Sequence, residues 1–132
     1  ARLATVHGVP TAVAAANSLP FAPRSVDLIL LSQFLHHLDD DEAVAILREA
    51  DRIARHGVVV ADLRRSEVAA AGFRLGSRLL RFDPATRADG VMSVRRGYLP
   101  AELLSLLDEA RVSGKVWRRP GYRLVAAWHP AA

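Results

Sequence analysis

Two apolar runs constrain this chain more than anything else in it: "VDLILLS" at 26–32 and "VVVADL" at 58–63. Both are hydrophobic almost without alternation, as expected of strands covered on both faces. Between them, "DDDEAVAILREADRIAR" (39–55) predicts a helix. Ala43, Ile46, Leu47, Ala50, Ile53 and Ala54 fall on one face at helical spacing, and Asp41, Arg48, Arg52 and Arg55 on the other. Asp39 and Glu42 have capping-box spacing, and His56-Gly57 is a stop signal. A full helix between two buried strands is a βαβ unit, which requires parallel pairing and a right-handed crossover.

The flanking segments are read in the same way. "ARLATVHGVP" (1–10) reads as a helix end broken by Gly8 and Pro10, and "TAVAA" (11–15) as a short strand of the same parallel sheet. Residues 17–25, with Pro20 and Pro23, read as a loop. Residues 66–82 read as helix, 83–97 as a polar, basic loop, and 100–110 as a helix with Pro100 in its first turn. The tail, 112–128, reads as two strands joined at Pro120-Gly121, a pair that favours a type II turn and so an antiparallel hairpin. The expected fold class is α/β: a partial Rossmann-like, doubly wound sheet whose parallel strands end in an antiparallel C-terminal hairpin.

With 132 residues, half of them hydrophobic, the chain suits one domain with a real core. No apolar run reaches the roughly 18–20 residues needed to cross a bilayer, so no membrane partner is expected. Cysteine is absent, which removes thiolate chemistry and makes a reducing cytoplasm the default expectation. Charge is uneven: residues 1–62 carry 5 basic and 8 acidic side chains, residues 63–132 carry 13 and 6. The basic half suits an anionic partner. Nucleic acid is disfavoured, because Lys115 is the one lysine and no aromatic-basic platform accompanies the arginines.

In a parallel α/β sheet, ligands bind beyond the carboxyl ends of the strands. The expected ends are Ala15-Ala16-Asn17, Ser32-Gln33-Phe34 and Asp62-Leu63-Arg64. The pair His36-His37 follows the second, and the acidic run Asp39–Glu42 then opens a helix, where it complements the dipole. Adjacent histidines without a third ligand argue against a metal site.

The stretch "SLPFAPRSVDLILLSQFLHHLDDDEAVAILREADRIARHGVVVADL" (18–63) resembles class I S-adenosylmethionine-dependent methyltransferases, in particular those similar to ubiquinone/menaquinone-biosynthesis methyltransferases. The resembling marks are Leu19-Pro20-Phe21, Asp27-Leu28, Leu35-His36-His37-Leu38, Arg48-Glu49 and Gly57-Val58-Val59-Val60. "YLPAELLSLLDEA" (98–110) and the closing hairpin are similar too. The resemblance implies S-adenosyl-L-methionine as cofactor, with Ala15, Ala16 and Asn17 near its adenine and Ser32 and Gln33 along its methionine part. It implies His36 or His37 near the reacting centre, and residues 64–97 as an inserted substrate lid. Asp62, Arg64 and Tyr98 are the residues expected to touch the acceptor.

Two departures stand out. The position matching the family's acidic adenine-loop residue is Ala15, and no Gly-rich first loop occurs anywhere. The expectation is therefore a single domain, 1–132, that is the C-terminal part of such a methyltransferase. Its function would be methyl transfer to a small-molecule acceptor, with an imidazole as base if the acceptor is a hydroxyl. The alternative is a non-catalytic methyltransferase-like module, whose apolar face, left open where the first strands should sit, would serve a partner or a homodimer. For each histidine the bland reading is a loop residue bonded to backbone; for Arg64, Arg65, Arg95 and Arg96 it is solvated surface.

Overall fold

The computed structural model describes residues 2–6 and 8–131. The element order is β1 (Arg2–Val6), β2 (Val9–Val13), β3 (Val26–Ser32), α1 (Asp40–Ile53), β4 (Ala54–Leu63), α2 (Glu67–Leu79), α3 (Pro84–Arg96), α4 (Pro100–Glu109), β5 (Lys115–Arg119) and β6 (Arg123–Trp128). A 3-10 turn, Leu35–His37, follows β3. No helix among the described residues is long and apolar enough to cross a membrane.

The two apolar runs lie side by side and parallel, from Val26 against Ala54 to Ser32 against Ala61. Helix α1 connects them and opens with the expected capping box: Glu42 N donates to Asp39 Oδ1 at 2.8 Å, and Asp39 N to Glu42 Oε2 at 3.3 Å. Its apolar face buries Ala43, Val44, Ile46, Leu47, Ala50 and Ile53. The helix ends at Ile53, earlier than His56-Gly57, because the chain passes straight into extended backbone at Ala54 (φ −71°, ψ 138°). Strand β6 pairs antiparallel with β4, and β5 with β6, giving the order β3-β4-β6-β5. The closing hairpin turns at Pro120–Tyr122, where Gly121 has the positive φ (+73°) a type II turn demands. Leu103, Leu106 and Leu107 of α4 complete one core with α1, Val58, Val60, Leu124, Ala126 and Trp128. The Trp128 indole donates to Asp51 Oδ1 at 2.9 Å, locking the last strand to α1.

Several expectations are corrected. Strand β3 is not covered on both faces: it lies at the end of the four-stranded order, with Leu28 and Leu30 exposed, because no further element among the described residues packs over that face. Residues 1–10 are not a helix end: β1 and β2 form an antiparallel hairpin, with Val6 opposite Val9 across Gly8 (φ +80°). The β-branched residues Thr5, Val6, Val9, Thr11 and Val13, and a glycine that turns the chain, outweigh any helical tendency here. The second strand consequently spans Val9–Val13, not 11–15, and belongs to this separate two-stranded sheet, not to the parallel one. Residues 83–97 are not a loop: α3 starts at Pro84, capped by Asp83, whose carboxylate accepts from Thr86 N at 3.0 Å.

Helices α2 and α3 form a hairpin that leaves and rejoins the sheet at one place. Tyr98 N donates to Leu63 O at 3.0 Å, and Arg65 N to Tyr98 O at 3.1 Å, so the two ends of the excursion make a short parallel bridge at Arg64 and Tyr98. Gly97 permits this approach: a Cβ there would lie 2.7 Å from Leu63 O. Tyr98 is buried, and its hydroxyl donates to Leu35 O at 2.9 Å. Burial, then the negative charges of Asp62, Asp40 and Glu102, push its phenol up to about 12.

These contacts make two predictions. Gly97→Ala forces Cβ against backbone and is expected to lower stability by about 1–3 kcal/mol. Gly72→Ala, with nothing within 4 Å of its Cβ, is expected to raise it by about 0.5–1 kcal/mol; urea unfolding of both variants measures the contrast, and equal effects contradict it. The second concerns Tyr98, one of two tyrosines. In Tyr122→Phe, the phenolate absorbance is expected to rise near pH 12, not near the ordinary value of about 10. Because the folded state holds this proton more tightly than the unfolded chain, its stabilising effect is complete below about pH 10. It is lost as pH rises toward 12.

Candidate functional site

The carboxyl ends of β3 and β4 are built around one buried carboxylate. Asp62, 1 % exposed, accepts from Leu63 N at 2.7 Å, Leu35 N at 2.9 Å and Phe34 N at 3.2 Å. It also accepts from His36 Nδ1 at 2.5 Å. Every partner is a donor, which suits a carboxylate and fixes the His36 tautomer with its proton on Nδ1. His36 is buried and His37 exposed, their rings 4.0 Å apart. The clamp closes directly behind Gln33, which takes a left-handed conformation (φ +50°) and donates its backbone N–H to Ala61 O at 2.8 Å. Such a φ in a residue other than glycine marks a tip held by its surroundings.

Three cavities distribute the residues singled out in the sequence. Gln33 and Arg64 line a crevice of about 350 Å³ beyond the strand ends, roofed by Ala69 and Phe73 of α2 and Gly90, Ser93 and Val94 of α3, and closed by Tyr122 and Arg123. His36, His37 and Tyr98 line a larger cavity of about 590 Å³ toward the helices, together with Arg65, Arg96 and Glu102. Arg65 and Glu102 form an ion pair at its wall. Ala16 and Asn17 line a cleft of about 200 Å³ with Phe34, Leu38, Glu42 and Ile46. Ala15 lies in the tight turn before that cleft, its carbonyl accepting from Ser18 N at 3.0 Å. Ser32 is exposed at the end of β3. Asp62 lines none of these cavities; its contacts are internal.

Sequence reasoning missed Phe73, Gly90, Tyr122 and Arg123 as neighbours of Arg64. A Cβ at Gly90 would come within 2.2 Å of the Phe73 ring, so the ring lies against α3 at this glycine. With α3 read as a loop, the register of that contact was invisible. The Asp83-Pro84 start was the available signal, since Pro at the first helical position after an Asp cap marks an N-terminus.

S-Adenosylmethionine, the cofactor the resemblance implies, meets a partial match here. Ala16, Asn17 and Phe34 offer a cleft of mixed polarity, with the Asn17 amide and the Glu42 carboxylate beside apolar walls, which suits a planar base bearing an amine, and Gln33 offers an amide in the neighbouring crevice. These residues fit one flank of the group.

The family model described as a methyltransferase domain matches residues 1–61. None of the curated proteins matches the chain. Among solved structures, a SAM-dependent methyltransferase from Aquifex aeolicus is similar over 95 % of this chain and 56 % of its own, with a TM-score of 0.64 at 16 % identity. TnmH is similar over 91 % of this chain and 34 % of its own, TM-score 0.59 at 24 % identity. A candidate O-methyltransferase from Nostoc punctiforme is similar over 89 % and 35 %, TM-score 0.58 at 20 % identity. The chain thus spans about a third to just over half the length of these proteins, and the likeness is one of fold. Residues 1–61 thus match a methyltransferase-domain family model, and the chain as a whole shares the α/β fold of these solved methyltransferases.

Proposed function

We propose that the protein transfers methyl groups from S-adenosylmethionine to a small-molecule acceptor held in the crevice beneath α2 and α3. One observation carries the reading: Gln33 and Arg64, from the carboxyl ends of two adjacent parallel strands, line the same crevice. That is where an α/β sheet of this kind presents its ligands.

The cofactor, when bound, supplies an activated methyl group. Gln33, Asn17 and Ala16 would hold its near flank, and the rest of the work falls to positioning and exclusion of water. Helices α2 and α3 serve as the lid, an insertion over 64–97 whose two ends are stapled at Arg64 and Tyr98. Tyr98 acts as a donor to Leu35 O and not as a base, since its phenol keeps its proton to about pH 12. His36 is a positioning residue: through Asp62 it fixes Phe34 and Leu35, and so the tip that carries Gln33. Neither histidine lines the crevice, which favours an acceptor that needs no proton removed within it, an anion or an amine.

Titration calorimetry of the full-length protein with S-adenosylmethionine tests the reading, followed by transfer of radiolabelled methyl from the donor to candidate acids and amines. Saturable binding and label in a small molecule are expected. An intact protein that binds no S-adenosylmethionine contradicts it.

A further inference from the structure

We propose that the crevice selects a planar molecule bearing a carboxylate, with Arg64 as the counter-ion. This deepens the acceptor site of the preceding reading and rests on it. The Nε of Arg64 is buried with no hydrogen-bond partner among the described residues. Native structures rarely leave a buried donor in that state unless a ligand or water completes it. The guanidinium carbon lies 5.1 Å from the centre of the Tyr122 ring. Stacking of this kind uses the face of the guanidinium and none of its N–H groups.

The charge around it is uncompensated. Arg123 also lines the crevice, and no aspartate or glutamate does among the described residues. By contrast Arg65 is paired with Glu102, and Arg95 with Glu67 at 3.1 Å. Apart from Gln33 and Ser93 the remaining walls are mainly apolar, chiefly Leu63, Phe73 and Val94, and Phe73 is backed by Gly90 at a distance no side chain would allow. A carboxylate matches the donor fork of a guanidinium, a flat ring suits the wall of Phe73, and about 350 Å³ suits a small ligand.

Titration calorimetry of the full-length protein with benzoate and with benzamide, without methyl donor, tests this. Benzoate is expected to bind at least about tenfold more tightly than benzamide, the effect of a charge-assisted pair. Arg64→Gln is expected to bring benzoate down to the benzamide level, and Arg64→Lys to restore part of the difference. Equal affinity for the two probes, no benzoate binding, or an unchanged affinity in a folded Arg64→Gln overturns the proposal. Should Arg64→Gln fail to fold, the two probes on the unaltered protein decide alone. Benzoate binding without methyl transfer to any acceptor overturns the methyltransferase reading and leaves the carboxylate site standing. Transfer to neutral and carboxylate acceptors with equal KM overturns the carboxylate site alone.

Discussion

One carboxylate organises the carboxyl ends of the two parallel strands. Asp62 sits near the end of β4 and gathers its own neighbour's amide, two amides from the segment after β3, and the imidazole of His36. A buried carboxylate is tolerable only when donors surround it, so the four partners are held as a set. The parallel register makes the set reachable, because Ser32 lies opposite Ala61 and the next residues of both strands meet at Asp62. Removing the charge would free the turn at 33–36, and with it the strained backbone of Gln33.

The α2–α3 hairpin inherits its position from this edge. Its two ends bridge at Arg64, one residue beyond β4, and Tyr98, two residues beyond α3, and the Tyr98 hydroxyl reaches back to the same Leu35 whose amide Asp62 holds. The crevice between this helical hairpin and the strand tips is then shaped by a glycine at each critical approach: Gly97 where the chain returns past Leu63, Gly90 where Phe73 lies on α3. Outside this region the sheet keeps an open edge. Leu28 and Leu30 of β3 are 68 % and 66 % exposed, on an otherwise apolar strand.

Much of the scaffold was legible in the sequence because it rests on local signals. The two apolar runs, the Asp39–Glu42 cap and the Pro120-Gly121 turn each state their structure within a few residues, and together they require the parallel pair and the closing hairpin. The β1–β2 hairpin was misread because Pro10 resembles a helix breaker, whereas the pairing partner that decides the matter is the strand before it. Helix α3 was misread because its sequence is polar and basic; its stability comes from packing on α2, not from an apolar stripe of its own. The site was legible only as a region. That Asp62 would turn inward to His36, and that Arg64 would meet Tyr122 from a distant hairpin, depends on register across the sheet, which no local pattern encodes.

The central claim is that the Asp62 carboxylate holds the tips of both strands, and amide hydrogen exchange measures it directly. In the native protein the Leu35 and Leu63 amides are expected to exchange as slowly as the core of β4, and in Asp62→Asn both are expected to exchange much faster while the amides of α1 stay protected. Rapid exchange of Leu35 and Leu63 in the unaltered protein, or protection that survives the substitution, would contradict the account.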